Sequence, residues 1–229
     1  MTLFLDTANL DEIREIAELG VIRGVTTNQK ILLKSGVSYD NYKEVIREIC
    51  ELVQGPVSVE LTRTYAPVHS LVSEARELAE INGWVVVKVP MWSDGRGLAV
   101  INQLSEMDIK TNATCLMSAR QGVLAAEAGA TYVSLFYNRM IEELSTRTLA
   151  MEEIFRMRTY LEDHDLDTKI IAGSIRNPND VMECFNAGAH IVTVPYKHLK
   201  ALIPHPRTES TIREFDEAWE KLKEGGDRT

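Results

Sequence analysis

Lys88 has the setting that most suggests chemistry. It lies inside the β-branched run Val85-Val86-Val87-Lys88-Val89-Pro90, whereas Lys110 and Lys169 fall at the beginnings of other such runs. An amine walled by valines loses hydration, which disfavours the ammonium form. A neutral amine attacks carbonyl carbon and forms a Schiff base. The alternative for a strand-end lysine is to run its head to water or to pair with a carboxylate such as Glu60. Asp6 and Glu60 close two further β-branched runs. Carboxylates there could move the protons this chemistry requires, since a hydroxyl proton leaves when a carbon bond breaks and water leaves a carbinolamine. Asp6 could equally cap the turn that follows it.

Other polar residues gather at the ends of comparable runs: Thr26-Thr27-Asn28, Asn112 and Thr114, then Ser134, Phe136 and Arg139, then Ser174 and Arg176. Strands buried on both faces are normally apolar, so packing alone does not explain these interruptions. Arg176 stands immediately before Asn177-Pro178, a cap followed by a proline suited to the first turn of a helix. A helix N-terminus, an arginine and the Ser174 hydroxyl together make a phosphate pocket, which Arg139 could complete. The competing reading for each arginine is a surface ion pair. No metal is expected, because His69, His164, His190, His198 and His205 are not grouped with carboxylates at ligand spacing. His190, at a strand start, is expected to be structural.

These residues need a scaffold that brings distant strand ends together. Eight strand candidates begin near Leu3, Ile22, Val57, Trp84, Ile109, Thr131, Lys169 and His190, and helical periods separate them. Tyr42, Val45, Ile46, Ile49, Leu52 and Val53 mark one such helix, and Asn9 with Glu12 suggests a capping box at another. Alternation of this kind implies a parallel sheet. The expected fold is α/β, a single (β/α)8 TIM barrel in which chemistry belongs at the C-terminal strand ends. An open doubly wound sheet is the runner-up, weakened because no G-x-G-x-x-G follows the first strand. After the eighth strand a short helix near 196–203 and the turn Pro204-His205-Pro206 lead to an additional C-terminal helix. There Ile212, Phe215, Trp219 and Leu222 form an apolar stripe that must be buried, on the chain's own barrel or on a neighbour. One domain over residues 1–224 is expected, with 225–229 a disordered tail.

The 229 residues, 45% hydrophobic and 26% charged, have the composition of a soluble globular protein. No apolar run approaches the roughly 18 residues of a membrane span. With 34 acidic against 25 basic side chains the net charge is −9, which argues against a general binder of nucleic acid or anionic membranes. Cys50, Cys115 and Cys184 lack metal-ligand spacing, and a cytoplasmic location is the simple expectation.

Seven segments in order resemble the transaldolase family, especially its short members and the related fructose-6-phosphate aldolases, over nearly the whole chain. They are Phe4-Leu5-Asp6-Thr7-Ala8, Gly24-Val25-Thr26-Thr27-Asn28, Val57-Ser58-Val59-Glu60, Val87-Lys88-Val89-Pro90, Lys110-Thr111-Asn112-Ala113-Thr114, the run from Ala128 to Ser134, and Ser174-Ile175-Arg176-Asn177-Pro178. The resemblance implies that Lys88 forms the Schiff base, that Asp6 handles the proton of the hydroxyl beside the broken bond, and that Glu60 with Thr114 holds a catalytic water. It further implies donor hydroxyls on Asn28 and Asn112, Ser134 lining the pocket, and the substrate phosphate on Arg139, Ser174 and Arg176. Thr26 and Phe136 complete the substrate-binding set. No cofactor is implied. The implied partners are sugar phosphates and further copies of the chain, as pentameric rings or decamers with the C-terminal helix reaching the adjacent subunit.

The expected activity is a Schiff-base transaldolase of the pentose phosphate pathway, moving a dihydroxyacetone unit between sugar phosphates. The alternatives are a fructose-6-phosphate aldolase and a catalytically silent sugar-phosphate-binding barrel. Phe136 favours transfer, because the related aldolases carry a tyrosine there that helps protonate the enamine; neighbouring Tyr137 could substitute if the strand end were shifted. The chain departs from the family pattern in three places. Gln29-Lys30 follows Asn28 where proline is common, Leu135 replaces a proline, and the helical-looking Met140-Ile141-Glu142-Glu143-Leu144 replaces a Gly- and Asp-rich loop.

Overall fold

The structure, a computed structural model, describes residues 1–63 and 65–226. Eight parallel strands close into a barrel in chain order: β1 (Thr2–Asp6), β2 (Ile22–Thr26), β3 (Val57–Glu60), β4 (Val85–Pro90), β5 (Thr111–Leu116), β6 (Tyr132–Phe136), β7 (Lys169–Gly173) and β8 (Ile191–Val194), the last pairing with β1. The helices wrap it: α1 (Leu10–Glu18), α2 (Gln29–Lys34), α3 (Tyr42–Val53), α4 (Val68–Ala79), α5 (Arg96–Ser105), α6 (Ala119–Glu127), α7 (Tyr137–Leu144), α8 (Arg147–Asp163), α9 (Pro178–Asn186) and α10 (Tyr196–Lys200). This is the (β/α)8 barrel expected from the alternation, with α11 (Pro206–Gly226) added at its end.

Side chains alternate across each strand, and here the alternation divides apolar core from chemistry. Leu5, Val25, Val59, Val87, Val133, Ala172 and Val192 pack with helix residues such as Ile13, Ile46 and Leu71. On the other face Phe4, Val86, Tyr132, Ile171 and Ile191 form a separate cluster that plugs the barrel interior. Two positions further along the same strands come Asp6, Lys88, Ser134, Gly173 and Thr193. Gly24 makes room for the plug: a Cβ there would lie 2.6 Å from both the Phe4 ring and the Pro56 carbonyl oxygen.

Several boundaries differ from expectation for local reasons. Asp108 turns the chain out of α5 at φ 57 and the Ile109 N–H caps the Leu104 carbonyl, so β5 starts at Thr111 rather than near Ile109. The six-residue α2 shows no periodic face in the sequence; its signal is the Asn28 cap, whose side chain accepts from Ile31 N. At α1 Asn9 accepts from Asp11 N and Glu12 N, but Glu12 takes the Thr7 hydroxyl at 2.6 Å and leaves the box incomplete. The complete box belongs to α9, between Asn177 and Asp180. His190 is structural as expected. Its Nδ1 accepts from Ile170 N at 3.0 Å, and burial, reinforced by Arg158, pushes its pKa down to about 4.

The stripe on α11 is not covered by the chain's own barrel. Ile212, Phe215, Trp219 and Leu222 are 49%, 69%, 59% and 68% exposed. The helix runs through the first two positions of the expected tail, and residues 227–229 lie outside the described residues. No helix among the described residues is long and apolar enough to cross a membrane.

Candidate active site

A cavity of about 140 Å³ opens at the C-terminal ends of the strands, directly above the apolar plug. Asp6, Thr26, Asn28, Lys88, Ser134, Phe136, Arg139 and Ser174 all line it, together with Gly173 and Thr193. Residues of β1, β2, β4, β6, β7 and β8 therefore meet at one point, while Glu60 of β3 does not line the cavity itself.

Lys88 is 4% exposed. Its Nζ donates to the Thr27 carbonyl at 3.1 Å and lies 3.6 Å from Glu60 Oε2. Register explains the pairing, since Glu60, Lys88 and Asn112 are level on adjacent strands. The lysine is buried and it pairs with Glu60, the competing reading of a strand-end lysine, while the flanking Val87 and Val89 face the helices. Across the cavity Asp6 Oδ1 accepts from the Thr26 hydroxyl at 2.6 Å, and Thr26 also meets Thr193 Oγ1 at 2.6 Å. Burial raises the pKa of Asp6 and of Glu60 above the usual carboxylate value. The Lys88 charge opposes the rise in both, and the Thr26 hydrogen bond opposes it in Asp6. The site therefore holds an amine nucleophile candidate between two carboxyl groups with enhanced proton affinity.

A buried polar chain fixes the wall behind Lys88. Asn112 Nδ2 donates to Ser58 Oγ at 3.1 Å, and Ser134 Oγ donates to Asn112 Oδ1 at 2.8 Å. Asn112 is fully buried and stands behind Ser134 rather than lining the cavity. Thr114 is also fully buried, and among the described residues its hydroxyl has no hydrogen-bond partner. Such a group is available to an ordered water or to a ligand.

The three departures from the family pattern have local answers. Asn28 has φ −159 and ψ 172, the extended conformation that a following proline would also impose, so Gln29 does not displace it. Gln29 instead ties the loop to β3 by donating to the Leu61 carbonyl at 2.8 Å. Leu135 faces the helices, and β6 runs in unbroken register with β7 through Phe136 and Gly173. Toward β5 the register shifts between Ala113 and Leu116, yet Tyr137 turns away from the cavity. It is fully buried and its hydroxyl donates to Glu183 Oε2 at 2.7 Å. The segment after Arg139 is helical, as α7.

The expected phosphate corner is only partly assembled. The Arg139 guanidinium lies 5.9 Å from the Phe136 ring centroid at the cavity rim, and among the described residues no carboxylate pairs with it. Ser174 adopts φ 60 at the end of β7. Arg176 does not line the cavity; its side chain is half-exposed and forms an ion pair with Glu142 of α7. For this arginine the surface ion pair describes the observed position, and Glu142 comes from the helix that replaces the Gly- and Asp-rich loop. Sequence reasoning missed Thr193 and Ser58. Each interrupts a valine- and isoleucine-rich strand, two positions from an interior residue in the case of Thr193, and that spacing was the available signal. Among the described residues no group of three or more His, Cys, Asp or Glu side chains is arranged to hold a metal ion.

Comparison with known proteins identifies a family. The profile of the family described as Transaldolase/Fructose-6-phosphate aldolase matches residues 3–227. A probable transaldolase from Thermoanaerobacter sp. (strain X514) is 44% identical over 221 residues, 96% of this chain and 98% of its own. A probable transaldolase from Pelotomaculum thermopropionicum is 44% identical over 224 residues, 98% of this chain and 100% of its own. Among solved structures, thiamine phosphate pyrophosphorylase from Pyrococcus furiosus is similar with a TM-score of 0.57, covering 85% of each chain at 14% identity, a likeness of fold alone.

The Asp6–Thr26 contact makes a direct prediction. Because the hydrogen bond from Thr26 favours the ionised carboxylate, Thr26→Val removes a lowering influence and should move the Asp6 titration to higher pH. Carbon-13 NMR of the side-chain carboxyl follows it, and an unchanged or lower midpoint would show that Thr26 does not stabilise the charge.

Proposed function

The chain belongs to the transaldolase/fructose-6-phosphate aldolase family, and on that premise we propose that it is a transaldolase working through a Schiff base on Lys88. The observation that carries the reading is a buried amine at the head of a cavity that also holds a carboxyl group made more basic by burial.

The amine attacks the ketone carbon of a phosphorylated ketose such as fructose 6-phosphate or sedoheptulose 7-phosphate. Loss of water from the carbinolamine gives an iminium ion, with Glu60 and Thr114 holding that water. Asp6 takes the proton of the hydroxyl beside the bond to be broken, and the bonding electrons move to the iminium nitrogen. A phosphorylated aldose leaves, and a three-carbon dihydroxyacetone unit stays on Lys88 as the enamine. The enamine carbon then attacks a second phosphorylated aldose, Asp6 returns its proton to the new alkoxide, and hydrolysis frees the lysine. The iminium nitrogen is itself the electron sink, so the sequence of steps calls on no cofactor.

Asn28 is placed to receive donor hydroxyls: its Oδ1 is engaged by Ile31 N, which leaves the amide NH2 to donate. Ser134, oriented by Asn112, can do the same from the facing wall. Arg139 and Ser174 take the phosphate in this reading, and Arg176 joins them by exchanging Glu142 for the substrate. An exposed ion pair contributes about 0–1 kcal/mol, so that exchange costs little. Transfer is favoured over release because Phe136 brings no proton to the cavity and the Tyr137 hydroxyl is held by Glu183. This reading sets the protein in the pentose phosphate pathway of the cytoplasm.

It also assigns the uncovered α11 stripe to a neighbouring copy, in a homo-oligomer of pentameric or decameric form. Four large apolar side chains exposed on one helix are costly to leave in water.

Two outcomes are expected. Phe136→Tyr should raise the release of free dihydroxyacetone from fructose 6-phosphate without an acceptor, while the parent mainly converts fructose 6-phosphate and a four-carbon aldose phosphate to a seven-carbon ketose phosphate. No rise over the parent would remove position 136 as the basis for choosing transfer. Deleting the chain from Thr208 onward should dissociate the oligomer in light scattering; a monomeric full-length protein, or a truncation that keeps its assembly, would assign the stripe otherwise.

A further inference from the structure

Asp180 is the fully buried carboxylate that organises the loops beside the cavity, and no step above uses it. Its Oδ2 accepts from Arg176 N and Asn177 N, each at 3.0 Å, and from Asn138 Nδ2 at 2.7 Å. Its Oδ1 accepts from Arg147 Nη1 at 2.8 Å. An N-terminal cap on α9 would account for the backbone contacts alone. It does not account for Asn138 and Arg147, which arrive from the starts of α7 and α8.

Asn138 is the link that gives these contacts a functional direction. The same Nδ2 also donates to the Ser174 carbonyl at 2.9 Å, so one amide joins Asp180 to the residue that carries φ 60. A non-glycine residue in that region is strained and persists only where its surroundings hold it. Asn138 immediately precedes Arg139, while Tyr137 is tied to Glu183, which pairs with Arg147 in turn. The chain at 137–138 is thereby fastened to α9 at two successive residues. Arg139 on one side and Ser174 on the other are carried by the two segments so joined. With Arg176 turned to Glu142, Arg139 and Ser174 are the members of the expected phosphate corner that line the cavity.

We propose that Asp180, Asn138 and Arg147 are positioning residues that lock the β6–α7 and β7–α9 loops together and so aim Arg139 and Ser174 at the phosphate of the substrate. The assignment deepens, and rests on, the sugar-phosphate reading of the site. It makes phosphate recognition a property of a buried cluster that does not itself touch the dianion. Removing a member should loosen the corner while leaving Lys88 and Asp6, on β4 and β1, in place.

The test measures binding of inorganic phosphate by titration calorimetry in the parent, Asn138→Ala and Arg147→Met. It adds steady-state kinetics with fructose 6-phosphate and with unphosphorylated fructose. Phosphate binding should weaken about tenfold, or about 1.4 kcal/mol, and KM for fructose 6-phosphate should rise similarly. The kcat/KM for unphosphorylated fructose should stay within about twofold, a split that general loosening of the fold would not produce. Arg147 is half-exposed, so Arg147→Met keeps the test available if the buried Asn138→Ala fails to fold. Unchanged phosphate binding in the folded variants, equal losses on both donors, or a parent that binds no phosphate would overturn the proposal. A parent that binds phosphate but turns over no sugar would instead contradict the transaldolase reading, and the calorimetry would still decide the role of the cluster.

Discussion

The pairing of Lys88 with Glu60 at 3.6 Å, one layer above an apolar plug, is the constraint around which the barrel mouth is built. Charges removed from water are costly unless partners satisfy them. The Thr27 carbonyl and the Glu60 carboxylate meet that need at the lysine, and the Thr26 hydroxyl meets part of it at Asp6. The plug lies directly below these polar groups in the barrel interior. Their proton affinities follow from this placement, because burial raises both carboxyl groups and the lysine charge holds them from rising further.

A second polar system lies outside the barrel wall, around Asp180. The two systems do different work. The inner one gathers an amine and carboxyl groups at the barrel mouth, and the outer one ties together the loops that carry Arg139 and Ser174. Separation of this kind lets loop sequence change while the strand-borne groups stay fixed, consistent with a chain that keeps its Lys88 strand and alters the segment after Arg139.

Legibility of these features in the sequence followed the range of the interactions that produce them. Lys88 stood out because a lysine within a run of valines is locally anomalous, and the eight strands were readable from repeated alternation. The Asn177-Pro178 helix start was local and was correctly placed. The ion pair of Arg176 is not local: its partner Glu142 is 34 residues away in sequence, and nothing near Arg176 indicates that contact. Glu12 likewise looked like a capping partner, yet the Thr7 hydroxyl holds it. Ser58 and Thr193 went unnoticed because a single hydroxyl in a strand is common. Their importance appears only when the closed barrel brings Ser58 of β3 to Asn112 of β5 and Thr193 of β8 to Thr26 of β2. The direction of Tyr137 depended on the β6–β7 register, a long-range property with no local sign.

Covalent chemistry at Lys88 is tested most directly by borohydride reduction of the protein with fructose 6-phosphate, followed by peptide mass spectrometry. The predicted result is a reduced sugar-derived adduct on Lys88, absent from a folded Lys88→Met protein. A parent that forms no adduct, or one that carries it on another lysine, would contradict the assignment.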